Sequence, residues 1–559
     1  MTLLAEYGTP GTDARSDTNV IWEAFERARG DRRPHLLCWE DGAYRPVTWD
    51  EWRRAAERVA VGLRELGVGP GTRVAAVLTN TFDACAAIIG TWLAGGVLLS
   101  FPMMRRGMTP PEYIGQLRRL CAQAGTHSLL LEQRFVELLG NEDLGAPVRG
   151  LESLGADGRL EPTPPADDEP AFVQYSSGST SDPKGCMLSM GAISEQERMI
   201  ADRLEVDRAD QGVSWLPLSH DMGLFGCVLL SWSTGMPLAL STPERFLRKP
   251  QTWMDDCADL GATMTGSPNF GLALAARWAR RQPPRGRFPM RSVVLGSERI
   301  EQRTLDEAHE VLGPYGMTRE TLTPAYGLAE ATLGVTMKRL GEAPRTVTID
   351  SESAYRGELR LRGPSESGGR PIVSCGPPMP GVSVRTSGPD EVGRICVNSP
   401  SLADGYLENP AATDERFVDG ELVTEDLGFV RAGELYVLGR TDDVIPLGGR
   451  NIHARDVELE VEQCTGVRPG SSVLIDVPAG NGSRLVLVAE PASGASDHLG
   501  ALAEQMSASA FRAAGARVAE CVFIQPGRLP KTPSGKVQRF RTRTLVTDDD
   551  PAVLERLAL

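Results

Sequence analysis

The sequence holds ten cysteines but no C-x-x-C pair, and its six histidines do not gather around them. A structural zinc site is therefore disfavoured, and buried free thiols in a reducing compartment are the expectation. Positive charge is in short supply: 59 basic against 74 acidic residues leave a net charge of −15. That balance disfavours nucleic acid or an anionic membrane as the main partner. Long apolar runs are also scarce. The two uncharged stretches, Ala84 to Met104 and Met222 to Leu240, are broken by Gly95, Gly96, Gly223, Gly226 and Gly235. Each reads as a helix running into a buried strand, with no integral membrane association. Met1-Thr-Leu-Leu-Ala-Glu6 lacks a basic segment followed by an apolar one, so no signal peptide is expected and the cytoplasm is the expected location. No internal repeat and no Ser-His-Asp arrangement is evident.

What the chain does have is a loop rich in glycine and hydroxyl groups, Tyr175-Ser-Ser-Gly-Ser-Thr-Ser-Asp-Pro-Lys-Gly185. Ala171-Phe-Val-Gln174 before it reads as a short buried strand. Gly178 and Gly185 permit tight turns and close approach of the backbone to a ligand. Ser176, Ser177, Ser179, Thr180 and Ser181 supply donors, and Lys184 supplies a fixed positive charge. A polyphosphate wants that combination. The loop is not a P-loop, in which lysine follows the second glycine; here Lys184 precedes Gly185.

A chain of 559 residues exceeds one hydrophobic core, so two to four domains are expected. Thr18 to Arg29, Thr48 to Leu66 and Phe82 to Ala94 have helical apolar spacing. Arg73–Leu78, Val97–Phe101, Ser128–Leu131, Gly212–Leu216, Ala262–Gly266 and Ser292–Gly296 read as short parallel strands between helices. The alternation implies an α/β body. Val148 to Glu169, rich in glycine, proline and acids, reads as a surface connection. From about Gly368 short strands and turns take over. The division expected is a large N-terminal domain over 1–440, made of layered α/β subdomains with a β-rich subdomain at about 368–440. A small mobile α+β C-terminal domain would span 441–559.

Further segments carry possible chemistry. Tyr326-Gly327-Leu-Ala-Glu330 offers a carboxylate suited to Mg²⁺ beside phosphates. Thr424-Glu-Asp-Leu-Gly428 reads as an acidic turn whose Asp426 suits a ribose diol. Gly439-Arg-Thr-Asp-Asp443 precedes the change of domain. Leu529-Pro-Lys-Thr-Pro-Ser-Gly-Lys536 exposes a lysine within a basic stretch that also holds Arg528, Lys531, Arg539, Arg541 and Arg543.

In this order the segments resemble the adenylate-forming superfamily of acyl- and aryl-CoA synthetases, nonribosomal-peptide adenylation domains and luciferases. The likeness covers nearly the whole chain. Ser214-Trp-Leu-Pro-Leu-Ser-His-Asp-Met-Gly-Leu224, Ser267-Pro-Asn-Phe270, Val373-Ser-Cys-Gly376 and Gly449-Arg-Asn451 resemble its fatty acyl-AMP ligase branch. Gly341 to Gly369 sits where that branch carries an extra segment. The resemblance implies ATP-dependent conversion of a carboxylic acid, fatty or related, into acyl-AMP and pyrophosphate, with Mg²⁺. Transfer to an acyl or peptidyl carrier-protein thiol would follow. It assigns the phosphates to Ser176 through Gly185, above all Thr180 and Lys184, and Mg²⁺ to Glu330. Tyr326 would lie near the adenine, with Asp426 and Arg440 on the ribose and His220 by the acid's carboxylate. Asp442 would be the hinge and Lys536 the catalytic lysine. An acyl-CoA synthetase and a catalytically silent binding relative are the alternatives.

Three departures from the branch pattern bear on the acid. Phe225, Trp232, Met236 and Met264 are bulky for a channel accepting a long alkyl chain. Ser297-Glu-Arg299 replaces an Ala-Glu-Pro-like stretch, and Ile452-His-Ala-Arg455 replaces a more aromatic tetrapeptide.

Overall fold

The computed structural model describes residues 19–559 except 105–107, 141, 176–182, 355–356, 364–365, 367–368, 388–391, 448–449, 480–481, 496–497, 516, 532–536 and 549. Two large sheets organise the N-terminal body. One has seven strands, in the order Gly405–Tyr406, Gly185–Ser189, Pro170–Tyr175, Val97–Ser100, Arg73–Ala76, Ser128–Leu131 and Val148–Gly150. The other has eight, running from Gly334–Met337 through Leu322–Gly327, Ser292–Gly296, Met264–Pro268, Gly212–Ser214, Leu238–Leu240 and Pro34–Glu40 to Ala43–Thr48. Most strands pair in parallel; antiparallel pairing closes both edges of the eight-stranded sheet and the Gly405–Tyr406 end of the other, whose Val148–Gly150 edge is parallel. Runs of apolar residues suit such strands because helices cover both of their faces.

The helices form where the periodicity places them. Trp49–Glu65 begins at Thr48, whose hydroxyl accepts from the Glu51 amide while the Glu51 carboxylate accepts from the Thr48 amide. That reciprocal cap satisfies two donors otherwise left open at a helix start. Phe82–Leu93 packs so closely on it that a Cβ on Gly90 would lie 2.7 Å from Val59 Cγ1. Trp49 and Trp52 of the first of these helices cluster with Trp232, which donates its indole N–H to the Ile21 carbonyl at 3.0 Å.

Two expectations fail locally. Val148 to Glu169 is only partly a surface connection, because Val148–Gly150 is an edge strand and Leu151 and Leu154 are buried. A Cβ on Gly62 would meet the Leu154 carbonyl, so the segment is fitted against the Trp49–Glu65 helix. Thr424 to Gly428 is not a turn but the middle of the strand Glu421–Arg431. Gly428 marks a register shift there, and a Cβ on it would sit 2.6 Å from the Tyr436 carbonyl oxygen. Glycine serves here as the small residue of a bulge.

The antiparallel sheet built from Ser383–Thr386, Gly393–Asn398, Phe417–Val418, Glu421–Arg431 and Glu434–Arg440 carries the β-rich texture. Thr346–Asp350 and Gly369–Val373 form a two-stranded ribbon whose Ile349 and Ile372 share a buried cluster with Phe429 and Tyr436. Past Arg440, the sheet Val467–Ala479, Gly482–Pro491, Glu520–Ile524 and Val553–Ala558 has an apolar cluster on each face. The helices Ala454–Val461 and Leu499–Ala514 cover one of them. This part of the chain thus has core of its own. Nine of the ten cysteines are buried, Cys464 being half-buried, and none forms a disulfide. Among the described residues no helix is long and apolar enough to cross a membrane.

Candidate active site

A cleft of about 1880 Å³ opens between the N-terminal body and the C-terminal part of the chain. Lys184, His220, Tyr326, Gly327, Glu330, Asp426 and Arg440 all line it, so the structure brings together these residues from scattered segments. Ser176, Ser177, Gly178, Ser179 and Thr180 lie outside the described residues. The ends of their loop are described: Tyr175 and Gly185 face each other across an antiparallel pair of strands. The loop therefore joins two strands. A Cβ on Gly185 would fall 2.7 Å from Val173 Cγ1, which explains the glycine at that end.

Lys184 points its ammonium at the Tyr406 ring, 5.2 Å from the centroid. The Tyr406 hydroxyl in turn donates to Glu330 Oε1 at 2.8 Å. Glu330 stands in a short turn, Ala329–Ala331, whose position is held by the Ala403 amide donating to the Glu330 carbonyl at 2.8 Å. Burial and the neighbouring Glu330 carboxylate both push the Tyr406 phenol up, so it acts as a hydroxyl donor. One carboxylate oxygen is thus oriented by Tyr406, and a carboxylate has further lone pairs to offer a cation. The chemistry fits Mg²⁺, a hard cation that prefers oxygen ligands. Tyr406 was not singled out by the sequence. Asp404-Gly-Tyr406 carries no periodic signal, and only its pairing with Cys186 beside Gly185 puts it here.

A second group joins Tyr326 to the five-stranded sheet. The Tyr326 hydroxyl donates to Asp426 Oδ2 at 2.7 Å. Asp426 and Arg440 are cross-strand partners, with Arg440 Nε 3.8 Å from Asp426 Oδ1. Arg440 also hydrogen-bonds Glu425, which pairs with Arg416 at 2.7 Å. Burial and Asp426 keep the Tyr326 phenol protonated. The result is a carboxylate fixed from both sides at the cleft wall. Gly327 is required by the fold, since a Cβ there would overlap the Leu333 carbonyl.

His220 caps the short helix Asp221–Gly223, its Nδ1 accepting from the Met222 amide at 3.3 Å and lying 2.5 Å from Asp221 Oδ1. Beyond it the cleft becomes apolar, lined by Ile200, Leu204, Leu230, Met236, Met264 and Met337. Only two of the four bulky residues expected to narrow this channel are there. Phe225 packs on Phe172 with ring centroids 5.5 Å apart, and Trp232 stands against Trp52. Leu224–Leu229 is a π-helical turn, whose wider winding rotates side chains away from α-helical positions. Phe225 and Trp232 are thus absent from the lining, while Met236 and Met264 are in it.

On the opposite wall stand Lys531, Val537 and Arg539, with Lys536 outside the described residues. Asp442 lies in a turn over Thr441–Asp443. Its neighbour Asp443 pairs with Arg539 at 2.9 Å, and Arg539 pairs with Glu458 at 2.6 Å. Asp456 joins the two parts of the chain, accepting from Arg299 at 2.9 Å and from Arg370 at 2.6 Å. The unexpected Arg299 is therefore an ion-pair partner across the cleft.

A cleft with anchored cation, carboxylates and apolar channel on this fold defines an adenylate-forming ligase, an enzyme that activates an acid as its acyl-AMP. The family model described as AMP-binding enzyme matches residues 24–407, and the chain belongs to that family. The 4-hydroxyphenylalkanoate adenylyltransferase of Mycobacterium marinum is 30% identical across 93% of this chain and 88% of its own. The long-chain-fatty-acid–AMP ligase FadD32 of Mycolicibacterium smegmatis is 27% identical, covering 94% of this chain and 93% of its own. A structure from work on fatty acyl-adenylate ligases of E. coli and L. pneumophila has the same fold, with a TM-score of 0.87. That likeness holds at 23% identity over 96% of this chain and 99% of the other. Within the family, the chain falls in the fatty acyl-AMP ligase branch.

Proposed function

We propose that this ligase activates a carboxylic acid with a largely apolar body and passes the acyl group to a carrier-protein thiol. The carrying observation is the convergence of Lys184–Tyr406–Glu330 and Tyr326–Asp426–Arg440 on one cleft that continues into an apolar channel. Asp426 and Arg440 grip the ribose hydroxyls, and Tyr326 lies toward the adenine. Ser176 through Gly185, with Lys184, surround the β- and γ-phosphates. Glu330 holds Mg²⁺, which supplies charge neutralisation at the phosphates when bound. His220 receives the acid's carboxylate end.

A carboxylate attacking the α-phosphate brings two anions together. Positioning and cations lower that barrier most, and no side-chain nucleophile is needed. Carboxylate oxygen bonds to phosphorus while the bond to pyrophosphate breaks, and the electron pair leaves with the pyrophosphate. Lys536 adds positive charge from the C-terminal domain, 441–559, which then turns about Asp442 for thiol attack. The FadD32 name supports a fatty acid, and the Mycobacterium marinum name supports a hydroxyaryl acid. A screen of fatty, aryl and amino acids for acid-dependent exchange of labelled pyrophosphate into ATP tests this reading. Exchange with no acid, by folded protein with Mg²⁺, would sink it.

Tyr406→Phe tests the cation site. Losing the bond to Glu330 Oε1 is expected to lower exchange about tenfold and raise the Mg²⁺ concentration for half-maximal rate. An unchanged Mg²⁺ titration would remove Tyr406 from the site.

A further inference from the structure

The apolar channel follows strands of the eight-stranded sheet, and their register gives its length. Gly296 and Ala325 line it at the end where Tyr326 enters the active site. Gly266 and Val294 line it one row lower, and Gly212, Leu238 and Met264 line it one row lower again. Strand pairing defines these rows. Pro268 pairs with Gly296, Gly266 with Val294, and Gly212 with both Met264 and Leu238. Alternate residues of a strand share a face, so the three rows belong to one wall. From Pro268 down to Met264 is four residues of strand, a span of about 13 Å.

The two ends of that wall differ. Glycine at 266 and 296 keeps strand side chains out of the upper part. At the lowest row Met236 and Leu238 close over Gly212, where a Cβ would lie 3.1 Å from both Met236 Cε and Leu238 Cδ1. Leu204 of the helix Met190–Leu204 and Met264 of the neighbouring strand join Met236 in one apolar cluster. None of these four side chains is more than 6% exposed. An extended chain advances about 1.2 Å per bond, so the wall matches an alkyl chain of roughly ten carbons. We propose that the channel is blind and that Met236, seated over Gly212, sets the length of the acid. The substrate is then a saturated, methyl-ended acid of about eight to twelve carbons. A chain of about sixteen carbons overruns the lowest row and crowds a packed wall. A hydroxyl at that end meets only methyl and thioether groups of these side chains and loses its hydrogen bonds to water.

This inference rests on the acid-activation reading, and its test separates the two. Acid-dependent pyrophosphate exchange is measured with saturated fatty acids from butanoate to octadecanoate and with 4-hydroxyphenylpropanoate. For the unaltered enzyme kcat/KM is expected to rise roughly threefold to fourfold per methylene up to about ten carbons. It should then fall at least about tenfold by hexadecanoate, and 4-hydroxyphenylpropanoate should lie about tenfold below decanoate. Met236→Ala should move the best length about two to three carbons upward and raise kcat/KM for hexadecanoate about tenfold. Gly212→Ala, whose methyl pushes the end of Met236 into the channel, should move it about one or two carbons downward. A damaged fold lowers every length alike and leaves the optimum in place, so the position of the optimum is the readout. Exchange with no acid overturns the acid-activation reading and this inference with it. The inference alone is overturned by an optimum at hexadecanoate or beyond, by better use of 4-hydroxyphenylpropanoate than of decanoate, or by exchange with no fatty acid at all. An optimum that stays in place in folded Met236→Ala overturns it too. Should that variant not fold, Gly212→Ala decides in the same way, and should neither fold, the length profile of the unaltered enzyme does.

Discussion

Lys536→Ala is expected to lower acid-dependent pyrophosphate exchange by about 10²–10³-fold while ATP binding largely survives. The cleft explains the direction. Lys184 stands beside Tyr406, where the proposed reading puts the pyrophosphate, and Arg440 is engaged with Glu425 and Asp426, the proposed ribose group. That reading leaves the α-phosphate oxygens without a cation from either residue. Lys531 and Val537, which flank the lysine segment in the chain, line the facing wall. Lys531 is already committed, its ammonium donating to the Gly470 carbonyl and to Ser471 Oγ at 3.2 Å. Burial lowers its pKa from the ordinary lysine value. Lys531→Ala should accordingly cost far less exchange than Lys536→Ala. Equal losses in the two variants, or near-normal exchange in Lys536→Ala, would refute the assignment.

The features legible in the sequence are local ones. Thr48 and Glu51 announce a helix start through a cap contained within four residues, and Ser128–Leu131 is a strand whose apolar run is complete in itself. The site residues carried by motifs, Lys184, Glu330, Asp426 and Arg440, do reach one cleft. What escaped depends on geometry the sequence does not carry. Gly428 suggests a turn, yet glycine serves equally at a bulge where another backbone comes close. The resemblance puts Phe225 and Trp232 around the channel, but both pack in the core, Phe225 from within a π-helical turn. Tyr406 is brought to Glu330 across 76 residues, and Arg299 to Asp456 across 157. Such long-range partners leave no trace in spacing.

Supplied with its acid, ATP, Mg²⁺ and CoA as the only thiol, the enzyme is expected to accumulate acyl-AMP, and a phosphopantetheinylated carrier protein should discharge it. The structure gives a physical reason through Asp456. Arg370, at the end of the ribbon that includes part of Gly341 to Gly369, reaches Asp456 while its other amine donates to the Leu438 carbonyl at 3.1 Å. Arg299 meets the same carboxylate. All three groups are largely buried, so the pairs are screened less than surface ones. In the proposed cycle, rotation of the part of the chain past Arg440 would separate them before thiol attack. A carrier protein can offset that cost through its own contacts, whereas CoA brings only its nucleotide and tethered arm. Asp456→Ala leaves Arg299 and Arg370 facing each other without their shared anion, which favours the open arrangement. CoA-dependent release of AMP should then rise about tenfold, equivalent to ~1.4 kcal/mol, with exchange falling by less. Rapid acyl-CoA formation by the unaltered enzyme would refute the acceptor preference. If Asp456→Ala left CoA use unchanged, the ion pairs would not be what restrains the domain.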